Sequence, residues 1–254
     1  MNISELFNLT GRKALVTGAG RGIGRVLAIA LAEAGCDVCL LGTTMKNIEA
    51  VANEIRQLGR KGVAIQTDVT KKEEVDKAFL QTDEQLGRLD ICVNNAGISI
   101  QKPAEKMIEE DWDRIMDTNL KGVFLCAQAA AQIMIPQRQG SIINIASMSA
   151  FTVNVPQKQA AYNSSKAGVA MLTKALAVEW AQYGIRVNSI CPGYIKTDML
   201  LNATHLFPIW ESLTPLGRIG NPEELSGAVI YLASEASSYM TGHDLVVDGG
   251  YTVR

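Results

Sequence analysis

The sequence predicts an α/β fold: a doubly wound parallel sheet of about seven strands with helices on both faces. Three observations carry this. Seven short apolar runs recur along the 254 residues, each short enough to be a strand. Stretches with helical periodicity separate most of them. The runs are continuous rather than alternating, as in strands buried on both faces. Right-handed crossovers then wind the chain to both sides of the sheet.

The elements follow in order. Arg12–Thr17 (RKALVT) is the first run, and Gly22–Ala34 after it is helical. Asp37–Leu41 precedes a helical Met45–Leu58, and Gly62–Gln66 precedes Lys71–Leu86. Leu89–Asn94 leads through a loop to a long helix near Asp111–Ile135. Ser141–Ile145 leads to a helix that reaches Tyr183. Arg186–Ile190 opens a loop-rich segment from Pro192 to Asn221. A helix Pro222–Ala233 and a last strand, His243–Val247, close the chain. No composition break divides residues 1–254, so one domain is expected, with a substrate loop near 194–220.

Composition removes several function classes. Twenty-four basic residues face 26 acidic ones, a net charge of −2, and no basic cluster stands out, so nucleic acid and anionic membrane are poor partners. No apolar stretch reaches the length of about eighteen residues that a membrane span needs, and no secretory leader is visible. The five cysteines sit mostly in apolar segments. Cys36-x-x-Cys39 has no second pair and no nearby histidine, so it reads as core packing. A reducing, cytoplasmic setting follows. His205 and His243 lack ligand spacing, and no metal is expected.

In an open parallel sheet, ligands bind at the carboxyl ends of the strands. The first such loop is Thr17-Gly18-Ala19-Gly20-Arg21-Gly22-Ile23-Gly24. Glycines there let main-chain N–H groups approach a pyrophosphate, and the following helix start adds partial positive charge. This is the context of a dinucleotide-binding Rossmann fold. The second strand ends in Leu41-Gly42-Thr43-Thr44, without the acid that holds an adenosine ribose in many NAD-binding folds. Arg21 with Thr43 and Thr44, and Lys46 nearby, suits a 2′-phosphate. The pattern favours NADP(H) and leaves NAD(H) open.

The other strand ends carry Asp68-Val69, Asn94-Asn95-Ala96-Gly97, Ser147 with Ser149, and Pro192-Gly193. Asp68 suits either an acceptor for the adenine amino group or a helix cap. The asparagine–glycine stretch suits a cofactor floor or a turn. Asn119 lies inside the long helix. Tyr162 and Lys166, four residues apart, share one helix face. A lysine cation beside a phenol favours phenolate. Lowering a phenol from about 10 to about 7 takes roughly 4 kcal/mol. Such a group can exchange an alcohol proton while a nicotinamide exchanges hydride.

Thr17-Gly18-x-x-x-Gly22-x-Gly24, Asn94-Asn95-Ala96-Gly97, Tyr162-x-x-x-Lys166 and Pro192-Gly193, in this order, resemble the short-chain dehydrogenase/reductase family over essentially the whole chain. The resemblance implies a catalytic tetrad of Asn119, Ser147, Tyr162 and Lys166. Tyr162 is then the general acid/base, Lys166 lowers its pKa and holds the nicotinamide ribose, Ser147 orients the substrate oxygen, and Asn119 holds a water linking Lys166 to solvent. Asp68, Asn95, Ile195 and Thr197 match cofactor-contact positions. The commonest Ser–Tyr interval would select Ser149, but the strand-end match selects Ser147. The longer loop resembles a branch of polyol dehydrogenases and ketose reductases. That implies a small polyol, ketose or other polar carbonyl substrate, and the family implies a homotetramer. The alternatives are a 3-oxoacyl-thioester reductase serving an acyl carrier protein and, without enzymatic activity, a nucleotide-sensing regulator.

Overall fold

In the computed structural model, which describes residues 2–254, seven parallel strands form one sheet in the order β3-β2-β1-β4-β5-β6-β7. They are β1 (Lys13–Thr17), β2 (Asp37–Gly42), β3 (Gly62–Gln66), β4 (Ile91–Asn94), β5 (Gly140–Ile145), β6 (Ile185–Pro192) and β7 (Asp244–Val247). Each lies within two residues of its expected run at either end. The helices are α1 (Ile3–Leu6), α2 (Gly22–Glu33), α3 (Met45–Gln57), α4 (Lys72–Leu86), α5 (Glu109–Met116), α6 (Gly122–Gln137), α7 (Ala160–Trp180), α8 (Phe207–Leu213) and α9 (Ser226–Ala233).

The period of two in the strands sorts the core into two layers. Ala14, Val16, Ile91 and Val93 join one layer with Leu27 and Leu31 of α2, Val51 of α3 and Val229 of α9. Leu15 and Cys92 join the other with Phe79 of α4, Ala130 of α6 and Leu176 of α7. Cys36 falls in the first layer and Cys39 in the second, so the two thiols face opposite sides of the sheet. Burial pushes both up to about 12, and they are inert packing groups. Among the described residues, no group of three His, Cys, Asp or Glu side chains is placed to hold a metal ion.

Two expectations change. The long helix near Asp111–Ile135 is two helices joined by a π-turn, Asp117–Lys121, in which the Gly122 N–H reaches back to the Asp117 carbonyl. Asn119 sits in that turn, fully buried. π-turns inside α-helices are common at functional sites. The loop-rich segment after Pro192 holds more structure than expected: a 3₁₀ stretch, Asp198–Leu206, and α8. Pro208 in the first turn of α8 suits a helix start. Trp210 is fully buried, stacked on Tyr194 at 4.3 Å between ring centroids. Removing such a side chain typically costs about 3–5 kcal/mol, so the segment has its own small core.

The strand order places the functional region. From β1 the chain winds outward to β3, then crosses back through α4 to β4 on the other side of β1. The loops after β1 and β4 diverge there, which opens a crevice at the strands' carboxyl ends.

Candidate active site

A cleft of about 530 Å³ runs along these carboxyl ends. Gly18, Gly20, Arg21, Gly22, Ile23, Gly24, Thr43, Asp68, Val69, Asn95, Ala96, Gly97, Pro192, Gly193, Ile195 and Thr197 all line it, together with Ser147, Tyr162 and Lys166. Asn119 does not; it stands behind the wall.

The glycine loop is a steric necessity at two positions. A Cβ on Gly24 would lie 2.3 Å from the Gly18 carbonyl oxygen, and Gly18 itself has φ +62° with Ala96 Cα 2.9 Å from where its Cβ would be. Arg21 is the N-cap of α2 in extended conformation, with no side-chain cap, and no acidic residue occupies the first turn. The first main-chain N–H groups of α2 therefore remain for an anion. These features fit the pyrophosphate of a dinucleotide.

Two predicted cofactor residues have structural duties. The Asn95 amide donates to the carbonyls of Thr17 and Gly18 at 3.0 and 3.1 Å, while the Thr17 hydroxyl accepts from the N–H groups of Asn95 and Ala96. This four-bond lock ties the glycine loop to the β4 loop. Thr17, named only as part of the motif, is its centre. One Asp68 oxygen accepts from the Thr70 N–H and hydroxyl. That is an Asx-turn rather than the N-cap, which is Lys71.

α7 carries Tyr162 and Lys166 on one face. Lys166 is buried, donates to the Ile145 carbonyl at the end of β5 at 2.6 Å, and lies 5.8 Å from the centroid of the Tyr162 ring. Burial lowers its pKa to about 8, which the nearby Cys191 opposes. The Tyr162 phenol is raised, not lowered. Burial is the main cause, and a hydrogen bond with Ser147 offsets part of it. Lys166 adds no depression of its own here: its ammonium is directed to the Ile145 carbonyl, and burial dominates at the phenol.

The Asn119 amide is engaged on both sides. It accepts from the Ile98 N–H at 2.8 Å and donates to the Ile98 carbonyl at 2.9 Å and to the Ser165 hydroxyl at 3.1 Å. Ser165 in turn donates to the Tyr162 carbonyl. Asn119 thus fixes the loop after Gly97 and the α7 turn that bears Tyr162.

Ser147 and Ser149 are both buried, with hydroxyls 3.0 Å apart. Ser149 also donates to Asn154 Oδ1 at 2.5 Å. Asn154, Gln157 and Tyr194 extend this polar wall, and all three line the cleft. The sequence placed Tyr194 in the expected substrate loop near 194–220; no local pattern distinguished Asn154, Gln157 or Tyr194 from other loop polar residues. Asn47, beside Gly20, also lines the cleft and was not foreseen.

Comparison with known proteins agrees with this architecture. A family model described as enoyl-(acyl carrier protein) reductase matches residues 18–252. A sorbose reductase of Candida albicans is 44% identical over 255 residues, covering 99% of this chain and 90% of that protein. The crystal structure of a short-chain type dehydrogenase/reductase from Mycobacterium marinum superposes with a TM-score of 0.98 at 48% identity, covering 100% of both chains. A gluconate 5-dehydrogenase from Burkholderia cenocepacia, in complex with NADP and tartrate, superposes at 0.95 with 38% identity and full coverage of both chains. With the model matched over most of its length and these likenesses over nearly all of it, the chain belongs to the short-chain dehydrogenase/reductase family.

Proposed function

We propose that this oxidoreductase exchanges hydride between NADP(H) and a small polyhydroxylated alcohol or ketone, a polyol and its ketose, with Tyr162 as general acid/base. One observation carries the reading: Tyr162 lines the same cleft as the glycine loop and a wall of Ser149, Asn154, Gln157 and Tyr194. That wall can exchange hydrogen bonds with hydroxyl groups, whereas a fatty acyl chain would gain none from it. The similarity to a sorbose reductase and to a gluconate 5-dehydrogenase supports it.

The glycine loop, Arg21 and Thr43 would hold the dinucleotide, and its nicotinamide supplies or accepts the hydride. Tyr162 gives its proton to the substrate oxygen in reduction and takes one in oxidation. Ser147 has one proton and two neighbours able to take it, Ser149 and Tyr162; in the complex it turns to the substrate oxygen and stabilises charge there. Lys166 holds a positive charge beneath Tyr162. Asn119 keeps α7 in place. NADP(H) is favoured by Arg21, Thr43 and Thr44, exposed at the mouth beside Gly42.

No described helix is long and apolar enough to cross a membrane. We place the protein in the cytoplasm on its buried free thiols. The test is a screen of the purified protein against polyols and ketoses with both cofactors, followed through the reduced nicotinamide. Reduction of 3-oxoacyl thioesters with no activity on any sugar-derived ketone would overturn the substrate class.

A further inference from the structure

Two groups of fixed polarity anchor the amides of the pocket wall. An indole N–H only donates and a carbonyl only accepts. The Trp210 indole donates to Gln157 Oε1 at 3.1 Å. This sets the flip of the Gln157 amide, whose Nε2 then donates to the Tyr194 hydroxyl oxygen at 2.8 Å. At the other end, the Thr152 carbonyl accepts from Asn163 Nδ2 at 3.4 Å. Asn163 Oδ1 must therefore accept from Gln159 Nε2, at 3.0 Å, and Gln159 also donates to Asn154 Oδ1 at 2.9 Å. Asn154 is left to turn its Nδ2 to Tyr194, at 3.3 Å. Two amide donors thus converge on one phenol oxygen.

A phenol oxygen with its acceptor positions filled can only donate. The neighbouring Tyr251 ring stands edge-on to Tyr194 at 5.5 Å. Its buried hydroxyl has no other partner and lies close enough to take the Tyr194 proton, so a substrate oxygen in the cleft competes with it for that proton. Tyr194 lines the cleft. Burial raises its pKa, which keeps the proton in place across working pH. Ser149 is tied on both sides: its proton goes to Asn154, and its oxygen accepts from Ser147 at 3.0 Å.

We propose that Gln157, oriented by Trp210, is a positioning residue for specificity: it makes Tyr194 an obligatory hydrogen-bond donor to a hydroxyl oxygen of the substrate away from the reacting carbon. This rests on the cleft being a ketose pocket, and it adds which residue selects the substrate and with what polarity. The α8 segment, through Trp210, then sets the chemistry of a wall it does not itself supply.

Gln157→Glu tests it. The shape is kept, and one carboxylate oxygen still accepts from Trp210. The other accepts instead of donating, and draws the Tyr194 proton away from the cleft. The measurement compares kcat/KM for a ketose with analogues that each lack one hydroxyl distant from the carbonyl. In the wild type, one analogue should be worse than the ketose by about tenfold or more, a difference of about 1.4 kcal/mol. Gln157→Glu should bring the ketose down to that analogue's level, mainly through KM, and leave the analogue nearly unchanged. Tyr194→Phe, which keeps the stack on Trp210, should do the same and serves if the first variant does not fold. A uniform loss for every substrate, or an intact preference for the ketose, overturns the proposal. A wild type that reduces no ketose overturns the substrate class itself, and the proposal with it.

Discussion

The Lys166 ammonium donates to the Ile145 main-chain carbonyl at 2.6 Å, joining the middle of one helical turn to the end of β5. This bond holds a cation at the junction of sheet and helix, under Tyr162. It also leaves the cation nearly dry, and its pKa falls to about 8 from 10.5. Folded Lys166 thus loses its proton before unfolded Lys166 does. Between those two values the unfolded chain binds more protons, so stability should rise with pH through this window. Below about 8 both states are charged and the full penalty of burying the cation remains. The check is denaturant unfolding of the cofactor-free protein against Lys166→Met from pH 7 to about 10. The wild type should gain relative to the variant as pH rises. A flat difference would show that Lys166 is not desolvated as described.

Tyr162→Phe should lower kcat by far more than tenfold, a loss above about 1.4 kcal/mol, while NADPH still binds. The phenol is partly buried and raised by its surroundings, so it is protonated and ready to donate in ketone reduction at neutral pH. Alcohol oxidation needs the deprotonated form, so its rate should climb with pH while reduction holds and then falls. Binding measured by nucleotide fluorescence separates loss of chemistry from loss of fold.

NADPH should be preferred over NADH in kcat/KM. A carboxylate at Gly42 is a poor probe, because a Cβ there would lie 2.9 Å from the Ile48 Cγ2 methyl. Thr43 is exposed, and Thr43→Asp brings the charge without that clash. It should lower the NADPH/NADH ratio by about tenfold through like-charge repulsion. Arg21→Ala should act in the same direction. An unchanged ratio in both variants places the 2′-phosphate elsewhere.

Ser147→Ala and Ser149→Ala should differ. Ser147 is the serine hydrogen-bonded to Tyr162, and its loss should reduce kcat about 10²-fold, near 2.7 kcal/mol. Ser149, tied to Asn154, should affect KM far more than kcat. The reverse pattern would give the catalytic role to Ser149.

A second copy of the chain should cover the outer faces of α6 and α7. Met171 and Val178 are 64% and 81% exposed and seven residues apart on α7, with Phe124 also exposed on α6. Seven residues is two helical turns, so the α7 pair forms one apolar stripe. Light scattering should find a tetramer, and Met171→Glu with Val178→Glu should halve its mass or more. A monomeric wild type would remove this expectation.

The sheet, its parallel sense and the glycine loop were legible in the residues, because strands buried on both faces must be continuously apolar and a pyrophosphate turn must omit side chains. Tyr162 and Lys166 were legible because one helical turn brings positions four apart together. These are local rules, and the sequence by itself determined what depends on them. The tertiary structure decided the rest. Only the fold shows that Asn119 lies in a π-turn with its amide engaged by Ile98, or that Asn95 locks the glycine loop. Only the fold brings Trp210, Gln157 and Tyr194 together; Gln157 and Trp210 lie 53 residues apart in sequence. The direction of a hydrogen bond is set by partners distant in the chain, and so is the desolvation that raises Tyr162 and lowers Lys166. Periodicity along one segment carries no record of either.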